Sequence, residues 1–161
     1  MPRRMLVLVV FLLLQNTQLM LATDGNCAHD ALANCLSSKL ERIVLPSELV
    51  DAFPPPYRGS AAVPAHILSD VASKMGVELA LEQFDPKKPV DELEGAVLLL
   101  FAGTANGHYV FCKSVETDYV VLVDSLSKLP EQNVPTRQLS KIWDGTALVV
   151  SKRDPWLAAL K

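Results

Sequence analysis

The run Ala96-Val97-Leu98-Leu99-Leu100-Phe101 constrains the fold more than any other stretch. It is continuously apolar and short. It lies between a charged connection, Asp85 to Gly95, and a turn, Gly103-Thr104-Ala105-Asn106-Gly107. Such a run is expected of a strand buried on both faces rather than on one. The chain before it is helical in pattern, and the chain after it is strand-like.

From Cys27 to about Leu40, apolar residues fall at Ala28, Leu32, Cys35, Leu36 and Leu40, the spacing of a helix with one buried face. Asp24-Gly25-Asn26 is a turn signal in front of it. Pro46 to Asp51 reads as a short second helix, and Pro54-Pro55-Pro56 as a stiff linking loop. Pro64 to Met75 reads as a third helix, with Ile67, Leu68, Val71 and Met75 inward and Gly76 past its end. Val77 to Phe84 alternates apolar with polar, as a half-buried strand does. His108 to Val115 and Tyr119 to Val123 read as a hairpin across Glu116-Thr117-Asp118. Thr136 is expected to cap a short helix to Trp143. Asp144-Gly145 then turns the chain into a last strand, Thr146 to Val150. Helices first and an antiparallel sheet after them define an α+β layout.

The N-terminus has its own signature. Arg3 and Arg4 precede ten uninterrupted apolar residues, Met5 to Leu14. That is the pattern of a secretory signal peptide. Ten helical residues reach only ~15 Å, too short for a bilayer core of ~30 Å. Counted on to Ala22, the segment could instead serve as a tilted anchor. The expected organisation is a signal or anchor at 1–22, one domain at 23–152 and a tail at 153–161. The protein is expected to be exported, to the periplasm or outside, or membrane-associated through residues 5–22. The formal net charge is -3. Removing the leader takes away two arginines and no acid, which leaves 13 basic and 18 acidic residues. A nucleic-acid partner is not expected of such a balance.

Three cysteines, Cys27, Cys35 and Cys112, leave at least one thiol unpaired. Cys27 and Cys35 are two helical turns apart, ~12 Å, too far for a disulfide. No Cys-x-x-Cys or close Cys/His pair suggests a metal, and no cofactor motif is present. Cys112 reads as a small buried core residue.

One constellation carries chemistry. Cys27 opens a helix, where unpaired N–H groups and the dipole favour a thiolate. His108 opens a strand after a glycine-containing turn. Asp124 ends the next strand, and hairpin pairing brings it near His108. A thiol, a base that takes its proton and a carboxylate that orients the base make a nucleophilic triad. Each piece also has a plain structural role: core cysteine, hydrogen-bonded strand histidine, turn-forming aspartate. His29 is expected to point about 200° away from Cys27 on the helix, and His66 to face solvent.

These residues also resemble a known family. Asp24-Gly25-Asn26-Cys27-Ala28-His29-Asp30-Ala31-Leu32 is similar to the nucleophile segment of the papain-like bacteriocin-processing cysteine peptidases. Gly107-His108-Tyr109-Val110-Phe111 resembles their histidine strand, and Val121-Leu122-Val123-Asp124 their aspartate strand. Trp143 to Val150 resembles the end of their domain. The resemblance implies a papain-like fold, cleavage of peptide leaders and a stand-alone version of a domain that elsewhere precedes an exporter. It implies Cys27 as nucleophile, His108 as base and then acid, and Asp124 as orienter. Two positions depart from the family pattern. Ala28 stands where glycine is usual, and Leu21 where a glutamine donates to the oxyanion. Asn26 is the candidate substitute donor. Losing one such donor costs about 100- to 1,000-fold in kcat. Three functions are compatible with these residues: a peptidase of weak activity, an impaired peptide-binding module of the same fold, or an envelope protein with a merely reactive thiol.

Overall fold

The computed structural model describes residues 27–60, 62–101, 107–125 and 127–151. The leader, Asn26, the turn residues 103–106 and the tail from 153 lie outside the described residues. Among the described residues, no helix is long and apolar enough to cross a membrane.

The helical half comprises α1 (Cys27–Leu40), α2 (Pro46–Leu49) and α3 (Ala65–Lys74), with a 3-10 turn at Pro55–Tyr57. The strands are β1 (Leu79–Gln83), β2 (Val97–Leu100), β3 (His108–Val115), β4 (Tyr119–Val123), β5 (Glu131–Pro135) and β6 (Trp143–Val150). Helix α4 (Thr136–Ile142) joins β5 to β6. The sheet runs in the order β1-β6-β2-β3-β4-β5. Every neighbouring pair is antiparallel.

Strand β2 is central and covered on both sides, as its composition demands. Val97 packs into a cluster with Leu32, Leu36, Phe53, Leu68, Val71, Tyr109 and Phe111 beneath α1 and α3. Leu98 and Leu100 pack into a second cluster with Val110, Cys112, Leu122, Leu139 and Trp143. Helix α4 and the 3-10 turn Asp91–Leu93 supply Leu139 and Leu93 to that second layer.

The sheet edges differ from the expectation. Strand β1 is an edge strand that buries Leu79 but leaves Leu81 exposed, so apolar alternation there does not mark a half-buried face. Strand β5, Glu-Gln-Asn-Val-Pro, has no apolar pattern and is held by backbone pairing to β4. Thr136 is the first helical residue rather than the cap. Pro135 occupies the cap position, and Thr136 N donates to Asp118 O at 2.9 Å. Asp144-Gly145 forms a bulge within β6 rather than a turn before it. Leu98 faces Ala147 while Leu100 faces Trp143, so β6 carries extra residues between the two pairs. Gly145 has φ +100°, and a Cβ there would collide with the carbonyl oxygen of Phe84. Only glycine fits that close approach.

Candidate active site

Helix α1 buries Ala28, Ala31, Leu32, Cys35 and Leu36. Anchored by them, the helix delivers Cys27, its first residue, to the end of the sheet. The thiol stands at the positive end of the helix dipole and is only 8% exposed. His108 is the first residue of β3. Gly107 before it has φ +70°, and a Cβ there would lie 2.7 Å from Leu99 Cδ1, so glycine lets the chain enter β3 close against β2. Asp124 is the first residue past β4. Its N donates to Pro130 O at 2.9 Å, and Ser127 N donates to Asp124 O at 3.1 Å, which closes the turn after the strand.

His108 Nε2 and Asp124 Oδ2 are 2.9 Å apart, with both side chains buried. The Cys27 thiol lies close enough to the His108 imidazole to favour its protonated form. With Nε2 held by the carboxylate, Nδ1 is the ring nitrogen left for sulfur. Burial works against a charged imidazole, but the hydrogen bonds and charges of Asp124 and Cys27 outweigh it. They push His108 up to about 9. The carboxylate and the sulfur on either side thus favour the protonated imidazole. Tyr109, pushed up to about 12 by burial and the Cys27 charge, donates its hydroxyl to Val63 O at 2.7 Å. That bond ties the next residue of β3 to the segment entering α3.

Strand alternation alone would not have brought these groups together. It groups His108 with Val110 and Cys112, which pack in the cluster away from α1. The meeting occurs because all three residues stand at the ends of their elements, where side chains reach past the sheet's rim.

The other candidates lie elsewhere. His66 is exposed at the start of α3. His29 is 2% exposed and stacks on Phe53 with ring centroids 4.0 Å apart. Neither ring nitrogen has a hydrogen-bond partner, and burial lowers its pKa, opposed in part by Asp30. Cys35 and Cys112 are free thiols with no exposure, each pushed up to about 12 by burial. Asn26 lies outside the described residues, so its side chain is not placed. Sequence reasoning missed one contact. Ser125 Oγ donates to Asp30 Oδ2 at 2.5 Å. The sequence carries no signal for it, since the two residues are 95 apart and each is of a type that usually faces water.

Helices packed on a six-stranded antiparallel sheet, with a thiol, an imidazole and a carboxylate at their junction, define a papain-like α+β domain. The chain belongs to the peptidase C39 family, a family of cysteine peptidases, whose model matches residues 23–155. Among solved structures, it is similar to the peptidase domain of Streptococcus ComA, a bifunctional ABC transporter involved in quorum sensing. The TM-score is 0.59 and identity 13%, over 79% of this chain and 93% of that one. It is similar to the N-terminal peptidase C39-like domain of a toxin secretion ATP-binding protein from Vibrio parahaemolyticus. There the TM-score is 0.58 and identity 18%, over 79% and 97% of the two chains. A third is a double-glycine-motif protease from an AMS/PCAT transporter, in complex with the leader peptide. There the TM-score is 0.57 and identity 17%, over 76% and 81%. At these identities the likeness is one of fold. No curated protein gives a significant match.

Proposed function

We propose that the protein is a papain-like cysteine peptidase that cleaves peptide bonds through Cys27, His108 and Asp124. The observation that carries this is the buried chain of contacts from thiol to imidazole to carboxylate. His108 takes the thiol proton, and Asp124 stabilises the imidazolium that results. The thiolate attacks the substrate carbonyl. His108 then protonates the leaving amine as the C–N bond breaks, and a thioester remains. A water, deprotonated by His108, hydrolyses the thioester and regenerates the thiol. The Cys27 backbone N–H and the Asn26 side chain are the proposed donors to the oxyanion.

The substrate is a peptide or protein segment that enters extended. The leader peptide bound to the AMS/PCAT protease supports a leader-type peptide as the first class to test. Residues 5–22 suit export or anchoring, which supports an activity outside the cytoplasm. Leu21, where the family pattern has glutamine, favours a second reading: a peptide-binding module of the same fold with impaired turnover.

Purified protein and its Cys27→Ala variant, incubated with a mixed peptide library, separate the two. Weak cleavage that vanishes in Cys27→Ala, with binding retained, is the expected result. Equal cleavage by both proteins would refute the Cys27 mechanism. Silence from both, with saturable binding, would establish the binding module instead.

A further inference from the structure

The Ser125–Asp30 hydrogen bond has no role in the chemistry above, yet it spans the two arms of the site. Asp30 lies three residues after Cys27 and so on the same side of α1. It is half-buried, in the first helical turn, where the dipole favours an acid. Ser125 is exposed and directly follows Asp124. The turn that presents it is pinned from several directions. Asp124 N donates to Pro130 O, Ser127 N donates to Asp124 O, and Gln132 Nε2 donates to Ser127 Oγ at 2.6 Å.

Together these contacts close a circuit. Cys27 meets His108, His108 meets Asp124, Asp124 is bonded to Ser125, Ser125 meets Asp30, and Asp30 returns along one helical turn to Cys27. Among the described residues, the Ser125 bond is the polar contact between the start of α1 and the sheet's end that does not involve the reacting groups themselves. Apolar packing is non-directional and does not by itself set the distance and angle between two polar groups. A nucleophile and base that must stay within hydrogen-bond reach are sensitive to such slippage.

We propose that Asp30 and Ser125 are positioning residues, a clamp that fixes the nucleophile helix against the aspartate arm so that Cys27 and His108 stay paired. The proposal rests on the peptidase reading above. Neither residue touches the reacting atoms. Their effect acts through the Cys27–His108 distance.

The test is the rate of Cys27 alkylation by iodoacetamide across pH 5 to 10 on the full chain, an assay that works whether or not turnover is fast. Cys27→Ala gives the background from Cys35 and Cys112. His108→Ala defines the unpaired thiol. Wild type should react well below the range of an ordinary thiol, near 8.5, and His108→Ala should lose that low-pH limb. Ser125→Ala and Asp30→Ala should each lose about 3- to 10-fold in rate at pH 6, as expected for one exposed hydrogen bond to a carboxylate. Their rates above pH 9 and their circular dichroism should match wild type. Asp30→Asn keeps an acceptor for the Ser125 hydroxyl and should recover most of the loss. The Asp30→Ala/Ser125→Ala double variant should be no slower than the worse single one, because both remove one bond.

Wild-type profiles for Ser125→Ala and Asp30→Ala, beside a lost limb in His108→Ala, would overturn the clamp and leave the peptidase reading standing. A wild-type profile for His108→Ala would instead sink the pairing itself and the clamp with it. Asp30→Asn as slow as Asp30→Ala would assign the effect to charge and also overturn the clamp.

Discussion

Replacing Asp124 by alanine should erase a pH-dependent part of the fold's stability. In the folded protein His108 titrates at about 9, against an ordinary value of 6.5. Burial opposes this rise, and the bonds and charges of Asp124 and Cys27 produce it. Because the folded state holds the proton more tightly, the stabilisation is fully present below pH 6.5. It declines as pH rises from 6.5 to 9 and is gone above 9. The rise corresponds to about 3 kcal/mol, or about 1.4 kcal/mol for each pH unit within the window. His108 is 8% exposed, so solvent does little to screen the pair. In Asp124→Ala, burial meets only the opposition of Cys27, and the folded midpoint falls back toward or below 6.5. The buried imidazole also loses its acceptor, which costs about 1 to 3 kcal/mol at neutral pH. Urea unfolding of both proteins at half-unit steps from pH 6 to 9 reads the difference directly. Cys35, Cys112 and Tyr109 titrate higher and are common to both proteins, so the comparison cancels them. The stability gap should narrow by roughly 2 to 3 kcal/mol across the window. A constant gap, or one that widens with pH, would refute the pairing argument.

Three further outcomes are expected. His29→Leu should lie within about 1.5 kcal/mol of wild type at pH 7 and resist acid better. Burial lowers the His29 pKa, so wild type loses stability as pH falls below 6.5 and the variant does not; thermal melts at pH 5 and 7 check this. Gly145→Ala should cost more than about 2 kcal/mol in urea unfolding, because φ +100° and the Phe84 carbonyl both reject a Cβ. Leu98→Ala, at a position with no exposure in central β2, should cost about 2 to 5 kcal/mol by the same measurement.

The centre of the fold was legible from the sequence because burial dictates it. The apolar run at 96–101 required a covered strand, and β2 has a cluster on each face. The bounds of β3 and β4 came from turn chemistry at Gly107 and Glu116-Thr117-Asp118. The edges were not legible. Strand β5 buries little and is held by backbone bonds, which leave no mark in side-chain pattern. The Asp144-Gly145 pair reads as a turn because the same φ freedom serves turns and bulges, and only the neighbouring Phe84 carbonyl decides between them. At the site, the order Cys27, His108, Asp124 could be read, while the Ser125–Asp30 contact could not. It joins residues 95 apart, each of a type that usually faces water.

Placing all three groups at element ends has a physical logic beyond geometry. A helix interior satisfies its own N–H groups, whereas the first turn leaves them free to face an anion. Cys27 gains that environment only as the opening residue of α1. A strand interior fixes each side chain to one face, and alternation would have committed His108 to the cluster away from the helix. As the opening residue of β3, it reaches past the rim instead. Ala28 shows what the remaining contacts demand. It is fully buried and helical directly after the nucleophile, so the position requires a small side chain and not the φ freedom of glycine. An alanine there preserves the approach of α1 to the sheet.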